Sequence, residues 1–147
     1  MQGPISTSRS SIFNSFLFSC RKCTGVAATF PALVEHYQGR VADISYVMLA
    51  GARVLAEGTG SELAAVLLGK DASSLARDLA ADRVLYVDHP QLADYAPEAY
   101  VRVLGQLIAD RSPRAIVCGD TSVGAEVAAM LSVRLGLPLT SACHAYR

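Results

Sequence analysis

The stretch that most limits what this chain can fold into is AIVCGDTSVGAEVAAMLSVRLGLPL, residues 115 to 139. It opens on a short apolar run, Ala115 to Cys118, too short for a helix and β-branched enough for a buried strand. Gly119 breaks the run, and Asp120, Thr121 and Ser122 carry side-chain oxygens able to cap a helix N-terminus. Val123, Val127, Leu131 and Leu135 then recur at helical spacing beside Ala128, which defines one apolar face. Gly136 stands where a C′ residue ends such a helix, and Pro138 prevents its continuation. Strand, turn, capped helix and a further apolar run make one unit of a parallel α/β sheet.

A turn of this kind is where α/β proteins hold phosphates, because free N–H groups and the positive end of the helix dipole face outward. The candidate cofactor-binding residues are therefore Gly119, Asp120, Thr121, Ser122 and Gly124. The turn has too few glycines for a dinucleotide fingerprint and lacks the G-K-[ST] of a Walker loop. Asp120 and Glu126 place carboxylates near it, and no Lys or Arg occurs between Arg114 and Arg134. Carboxylates there complement the dipole and compete with an anionic ligand for the same donors. The charge pattern favours a capped structural turn over a phosphate site.

Other chemistries have little to work with. Net charge is zero and no basic cluster occurs, so the electrostatic footprint of a nucleic-acid binder is missing. No uncharged apolar run approaches the ~18 residues of a membrane span. Of the four cysteines, only Cys20 and Cys23 have ligand-like spacing, and one pair cannot fill a structural zinc site; Cys118 and Cys143 lie in apolar runs as small buried hydrophobes. None of His36, His89 and His144 has a His or Cys at metal-ligand spacing, so no metal site is expected. His36 reads as a hydrogen-bonded structural histidine. No Ser lies in a G-x-S-x-G elbow, and no catalytic residue is assigned. Glu35, Asp88 and Asp120 are expected near one sheet edge, as helix caps or as functional groups.

Residues 1–30 carry Ser, Phe, Cys and Thr with Arg9, Arg21 and Lys22 and no acid, the composition of a transit peptide, a tag or an extension. They are expected to lie outside the fold, and residues 31–147 to form one α/β domain. Ala32 to Val34 begins it. Because proline has no N–H for a ladder, Pro31 is expected to start that strand at residue 31 or 32, with residues 26–30 outside regular pairing. Asp43 or Ser45 is expected to cap a helix with Val47, Met48, Gly51, Val54 and Leu55 on its apolar face. Leu63 to Leu68 reads as a strand covered on both faces, Asp71 to Ser74 as the cap of a short helix with Leu75 and Leu79, and Arg83 to Val87 as the next strand. Pro97 suits the first turn of a helix striped with Tyr100, Val103, Leu104, Leu107 and Ile108. Leu137 to Ala142 would be a last strand. The expected fold is α/β, a three-layer α/β/α Rossmann-like domain with a mainly parallel five-stranded sheet and helices on both faces.

Two segments go beyond fold class: DRVLYVDHPQLADYAPEAY, Asp82 to Tyr100, and CGDTSVGAEVAAMLSVRLGLPLTSAC, Cys118 to Cys143. Together they resemble the N-terminal domain of the electron transfer flavoprotein α-subunit. Glu35-His36 after a strand and Val41 to Ser45 opening a helix fit as well. The resemblance covers about residues 32 to 147. It implies part of a heterodimeric, non-enzymatic electron carrier that passes electrons from dehydrogenases to a downstream acceptor. In that family FAD is held mainly by the α-subunit's C-terminal domain, which the resemblance places beyond Arg147, and AMP by the β-subunit. This domain is then scaffold and β-subunit contact surface, and alone it is expected to bind no FAD. Where the family turn continues G-R-D, this chain reads Gly124-Ala125-Glu126, which removes an Arg.

The competing reading is a free-standing adenine-nucleotide-binding α/β module, which would want a cation near the glycine turn. Ala and Arg usage points to a bacterial cytoplasmic protein, with the mitochondrial matrix as the alternative.

Overall fold

The computed structural model describes residues 5–8 and 29–141. Its centre is a parallel sheet in the order β1-β6-β5-β2, built from β1 (Ile5–Ser8), β2 (Thr29–Val34), β5 (Glu62–Gly69) and β6 (Arg83–Asp88). A small antiparallel hairpin, β3 (His36–Tyr37) and β4 (Arg40–Val41), follows β2. The helices are α1 (Asp43–Thr59), α2 (Pro97–Arg111) and α3 (Ser122–Leu135), with 3₁₀ turns at Ser73–Asp78 and Pro90–Leu92. The stretch from residue 9 to 28, and with it most of the expected leader and the Cys20–Cys23 pair, lies outside the described residues, as do Ala142, Cys143 and His144.

The near-continuous apolar runs of β5 and β6 are explained by two cores. Alternate residues point to opposite faces of a strand. Ala64, Val66 and Leu68 join Leu33, Leu85 and Val87 beneath α2 and α3, whereas Leu63, Ala65 and Leu67 join Ala32, Val34, Val84 and Tyr86 beneath α1 and the Ser73–Asp78 turn. Helices therefore cover both faces of a parallel sheet, the α/β/α layering expected from sequence. At its starting end, β6 is tied to α1 by Asp82, whose carboxylate takes two bonds from Arg53 (2.7 and 2.8 Å) and one from the Leu63 N–H (2.8 Å). Burial opposes the Asp82 charge, but those bonds outweigh it and hold its carboxyl below the usual range.

Several expectations need correction. Residues 1–30 do not lie wholly outside the fold, because Ile5–Ser8 within them pairs in parallel with β6. Among the described residues the sheet has four strands, not five, and through Ser141 the run after α3 forms no strand. The segment from Ala115 to Cys118 makes a single bridge, Ala32 to Val117. The short helix after Asp71 is a 3₁₀ turn without a side-chain cap. The first strand does not wait for Pro31: Thr29 and Phe30 pair with Glu62 and Leu63, and Pro31 itself pairs with Ala64.

One geometry accounts for both the proline and the single bridge. The Pro31 carbonyl accepts the Val117 N–H (2.9 Å), and the Leu33 N–H donates to the Val117 carbonyl (2.9 Å). Residues 31 and 33 therefore turn their backbone groups toward Val117, leaving Phe30, Ala32 and Val34 to hold β5. The nitrogen of Pro31 faces the Val117 side, so no bond to β5 is lost. The missing donor is the one that would have reached Ala115 and lengthened the bridge into a strand. Pro31→Val should gain about 1 kcal/mol from that bond and lose about as much by loosening the unfolded chain. Urea denaturation is expected to find the two proteins within about 1 kcal/mol of each other.

Candidate functional site

From β2 the chain runs to β5 and β6 on one side of the sheet, then returns to the opposite side of β2 through Val117. That reversal is a topological switch point, and open α/β sheets bind ligands just beyond the carboxyl ends of the strands there. Glu35 leaves β2 at this point, and Gly119, Asp120 and Thr121 leave the Val117 segment beside it.

Thr121 is the N-cap of α3, and its Oγ1 accepts the Gly124 N–H at 2.9 Å. The same hydroxyl donates its hydrogen to the Glu35 carboxylate, with oxygens at 2.8 and 3.0 Å. The site thus contains an internal anion at the first turn of a helix, held by a side chain 86 residues away in sequence. Space is tight around it. A Cβ added to Gly119 would sit 2.8 Å from Glu35 Oε1, and one added to Gly124 would overlap the Gly119 carbonyl oxygen.

Glu35 is itself fixed from below. Ser45, fully buried in α1, accepts the Glu35 N–H on Oγ (2.8 Å) and donates to the Glu35 carbonyl (3.0 Å). The Ala42 N–H reaches the same carbonyl at 2.8 Å. Ser45 therefore belongs to the site and not to a helix cap: α1 begins after Ala42 with no side-chain cap. Ser45→Ala would leave the Glu35 N–H without its partner and is expected to cost about 1–3 kcal/mol in chemical denaturation. A change below about 0.5 kcal/mol would mean that water replaces the hydroxyl freely.

The surrounding groups register the Glu35 charge. Burial, then Glu35, pushes the half-buried Cys118 thiol up to about 11, and the same two causes raise the Tyr100 hydroxyl. Cys118 is therefore held as a thiol, the inert role expected for it. Tyr95 packs edge-on against Tyr100 with ring centroids 5.1 Å apart and donates its hydroxyl hydrogen to Glu126 at 2.8 Å.

Of the candidate turn, Thr121 caps the helix, Gly119 and Gly124 provide the close approach, and Asp120 and Ser122 are exposed. Glu126 lies further along α3 on Tyr95, so the carboxylate that sits at the turn is Glu35. Asp88 does not join it; its Oδ1 accepts the Asp71 N–H at 3.2 Å. His36 is the structural histidine expected, with Nε2 2.6 Å from the Leu68 carbonyl oxygen. Sequence reasoning missed the pairing of Glu35 with Thr121. The usable signal was the chain order, since seating the Val117 segment beside β2 brings those two loops together. Among the described residues no cluster of His, Cys, Asp and Glu is arranged to hold a metal, and no helix is long and apolar enough to cross a membrane.

The sheet order, layering and switch-point loops place the chain in the doubly wound α/β class. Within that class the electron transfer flavoprotein domain model matches residues 32–147, and the chain belongs to that family. It is 32% identical over 114 residues to the electron transfer flavoprotein subunit alpha of Megasphaera elsdenii, covering 76% of this chain and 34% of that one. It is 31% identical over 112 residues to the acryloyl-CoA reductase electron transfer subunit beta of Anaerotignum propionicum, covering 74% of this chain and 30% of the relative. Protein FixB of Azorhizobium caulinodans is 31% identical over 116 residues, with coverage of 75% and 31%. The chain thus spans about a third of the length of the curated relatives it matches.

Proposed function

We propose that this domain is a non-catalytic scaffold of an electron transfer flavoprotein, offering a contact surface to a β-subunit while the FAD is held outside residues 32–147. The observation that carries the reading is the crevice at the switch point. The place where an open α/β sheet takes a ligand is filled by the chain's own Glu35 carboxylate on Thr121. An anionic cofactor would have to displace that carboxylate, and no Lys or Arg lies between Arg114 and Arg134 to attract one. The same observation weighs against a free-standing adenine-nucleotide module. The flavin of the family and the AMP of its β-subunit then belong to other parts of the assembly, and the electrons pass between dehydrogenases and a downstream acceptor through that assembly. The bacterial relatives support a cytoplasmic setting.

Two measurements test this. The purified chain is expected to lack the visible absorbance band of a flavin and to give no calorimetric signal with AMP or FAD. Mixed with the β-subunit of a bacterial electron transfer flavoprotein, it is expected to co-elute in size-exclusion chromatography. Stoichiometric flavin on the isolated chain, or micromolar AMP affinity, would overturn the scaffold reading.

A further inference from the structure

We propose that Glu35 and Thr121 form a latch that keeps the switch-point crevice shut, with Glu35 the positioning residue that holds the turn after Val117 against the end of β2. The proposal rests on the reading of that crevice as closed, and adds what closes it.

Three observations carry it. Both Glu35 carboxylate oxygens lie within hydrogen-bond distance of one hydroxyl, Thr121 Oγ1, at 2.8 and 3.0 Å, so the contact tolerates small shifts of either side chain. The backbone of Glu35 is fixed on both its N–H and its C=O by the buried Ser45, so the carboxylate is presented from a rigid base. The turn it meets has few backbone bonds to the sheet: the Val117 segment joins it through a single bridge, and Pro31 cannot supply the next bond. A segment with so few backbone bonds opens easily by itself. The side-chain contact therefore supplies the second attachment that the ladder lacks.

Cys118 reports on the latch, because it immediately precedes Gly119, whose Cβ position lies against Glu35 Oε1. In the full chain with Cys20, Cys23 and Cys143 replaced by Ser, Cys118 is the only thiol. Its reaction with a small disulfide reagent is followed across pH, which separates the thiolate rate from the position of the titration. Thr121→Val and Glu35→Ala are each expected to raise the thiolate rate by about tenfold or more, as release of a local closure requires. Glu35→Gln keeps the shape and an acceptor for Thr121, so it is expected to move the titration downward while leaving the thiolate rate near that of the parent. Leu104→Ala, which weakens the core cluster on which Cys118 packs but leaves the Glu35–Thr121 contact in place, is expected to leave the thiolate rate near the parent value under native conditions. Equal rates in the parent, Thr121→Val and Glu35→Ala would overturn the latch. So would a Leu104→Ala rate as high as the Thr121→Val rate, because opening would then be global. If Glu35→Ala fails to fold by circular dichroism, Thr121→Val decides alone. Loss of β-subunit binding by the parent would refute the scaffold reading and leave these rates unaffected.

Discussion

Gly124→Ala is expected to destabilise the domain by about 3 kcal/mol or more, although it places the best helix former inside a helix. Gly124 lies in the first turn of α3 and gives its N–H to the Thr121 hydroxyl at 2.9 Å. Helix propensity taken alone favours Ala over Gly by about 1 kcal/mol. Against that gain stands a backbone obstruction. The new Cβ would overlap the Gly119 carbonyl oxygen and lie 3.0 Å from both the carbonyl carbon and the nitrogen of the same residue. No side-chain rotamer relieves a clash with main chain, so the turn must lift from the helix. Lifting it pulls Thr121 from its cap and from Glu35, and strains the Val117 bridge a few residues upstream. Loss of a cap alone costs about 1 kcal/mol. Ala125→Gly, one position along on the exposed face, is the control: it should cost only the propensity term of about 1 kcal/mol. Urea denaturation of the three proteins checks the signs. A Gly124→Ala midpoint above that of the parent would show that the turn does not pack on α3 as described.

The elements legible in the sequence are those whose burial and pattern agree. β5 and β6 were readable because both faces of each strand are covered, so the apolar run is nearly unbroken. Pro97 and the stripe of α2 were readable because Tyr100, Val103, Leu104 and Leu107 are buried on one face. α1 was misread for a physical reason. Its buried positions are Ser45, Leu49, Ala52 and Ala56, while Val47 and Val54 are more than half exposed. A hydrophobicity pattern ranks Val above Ala, but this helix meets the sheet through Ala52 and Ala56 beside Leu49, with Met48 and Leu55 of the expected face only partly buried, and its single buried hydroxyl serves Glu35. Pairing with β2 was misjudged at Pro31 because a sequence does not say to which side each backbone nitrogen points. At the site, the capped turn was legible and its Thr121 cap was among the residues named. The carboxylate that occupies the turn was assigned to Asp120 and Glu126 because they are near in sequence; the one in place, Glu35, arrives through strand order.

Val133 is 86% exposed, and Leu137 and Leu139 are exposed beside the end of α3. Single exposed apolar residues of this kind are ordinary on a folded domain. The exposed side of this helix carries little of what holds the domain together.

Leu104→Ala is expected to cost about 2–5 kcal/mol, and Val133→Ala less than about 0.5 kcal/mol, although each shortens an aliphatic side chain on a neighbouring helix. Leu104 is fully buried in α2, in the cluster that joins Leu33 of β2, Val66 of β5, Leu85 of β6 and Leu131 of α3. Truncation there removes the transfer energy of the lost carbons and leaves a cavity between a sheet and two helices, none of which can collapse without moving the others. Val133 has no such surroundings, and Ala is the better helix former. Domains of this kind have total stabilities of about 5–15 kcal/mol, so the Leu104 change alone consumes a large part of the margin. Denaturation midpoints at a fixed slope measure both variants. The decisive comparison is the ratio of the two losses. A Val133→Ala loss equal to that of Leu104→Ala would mean that the outer face of α3 is packed in solution, and that the core lies elsewhere than between α2, α3 and the sheet.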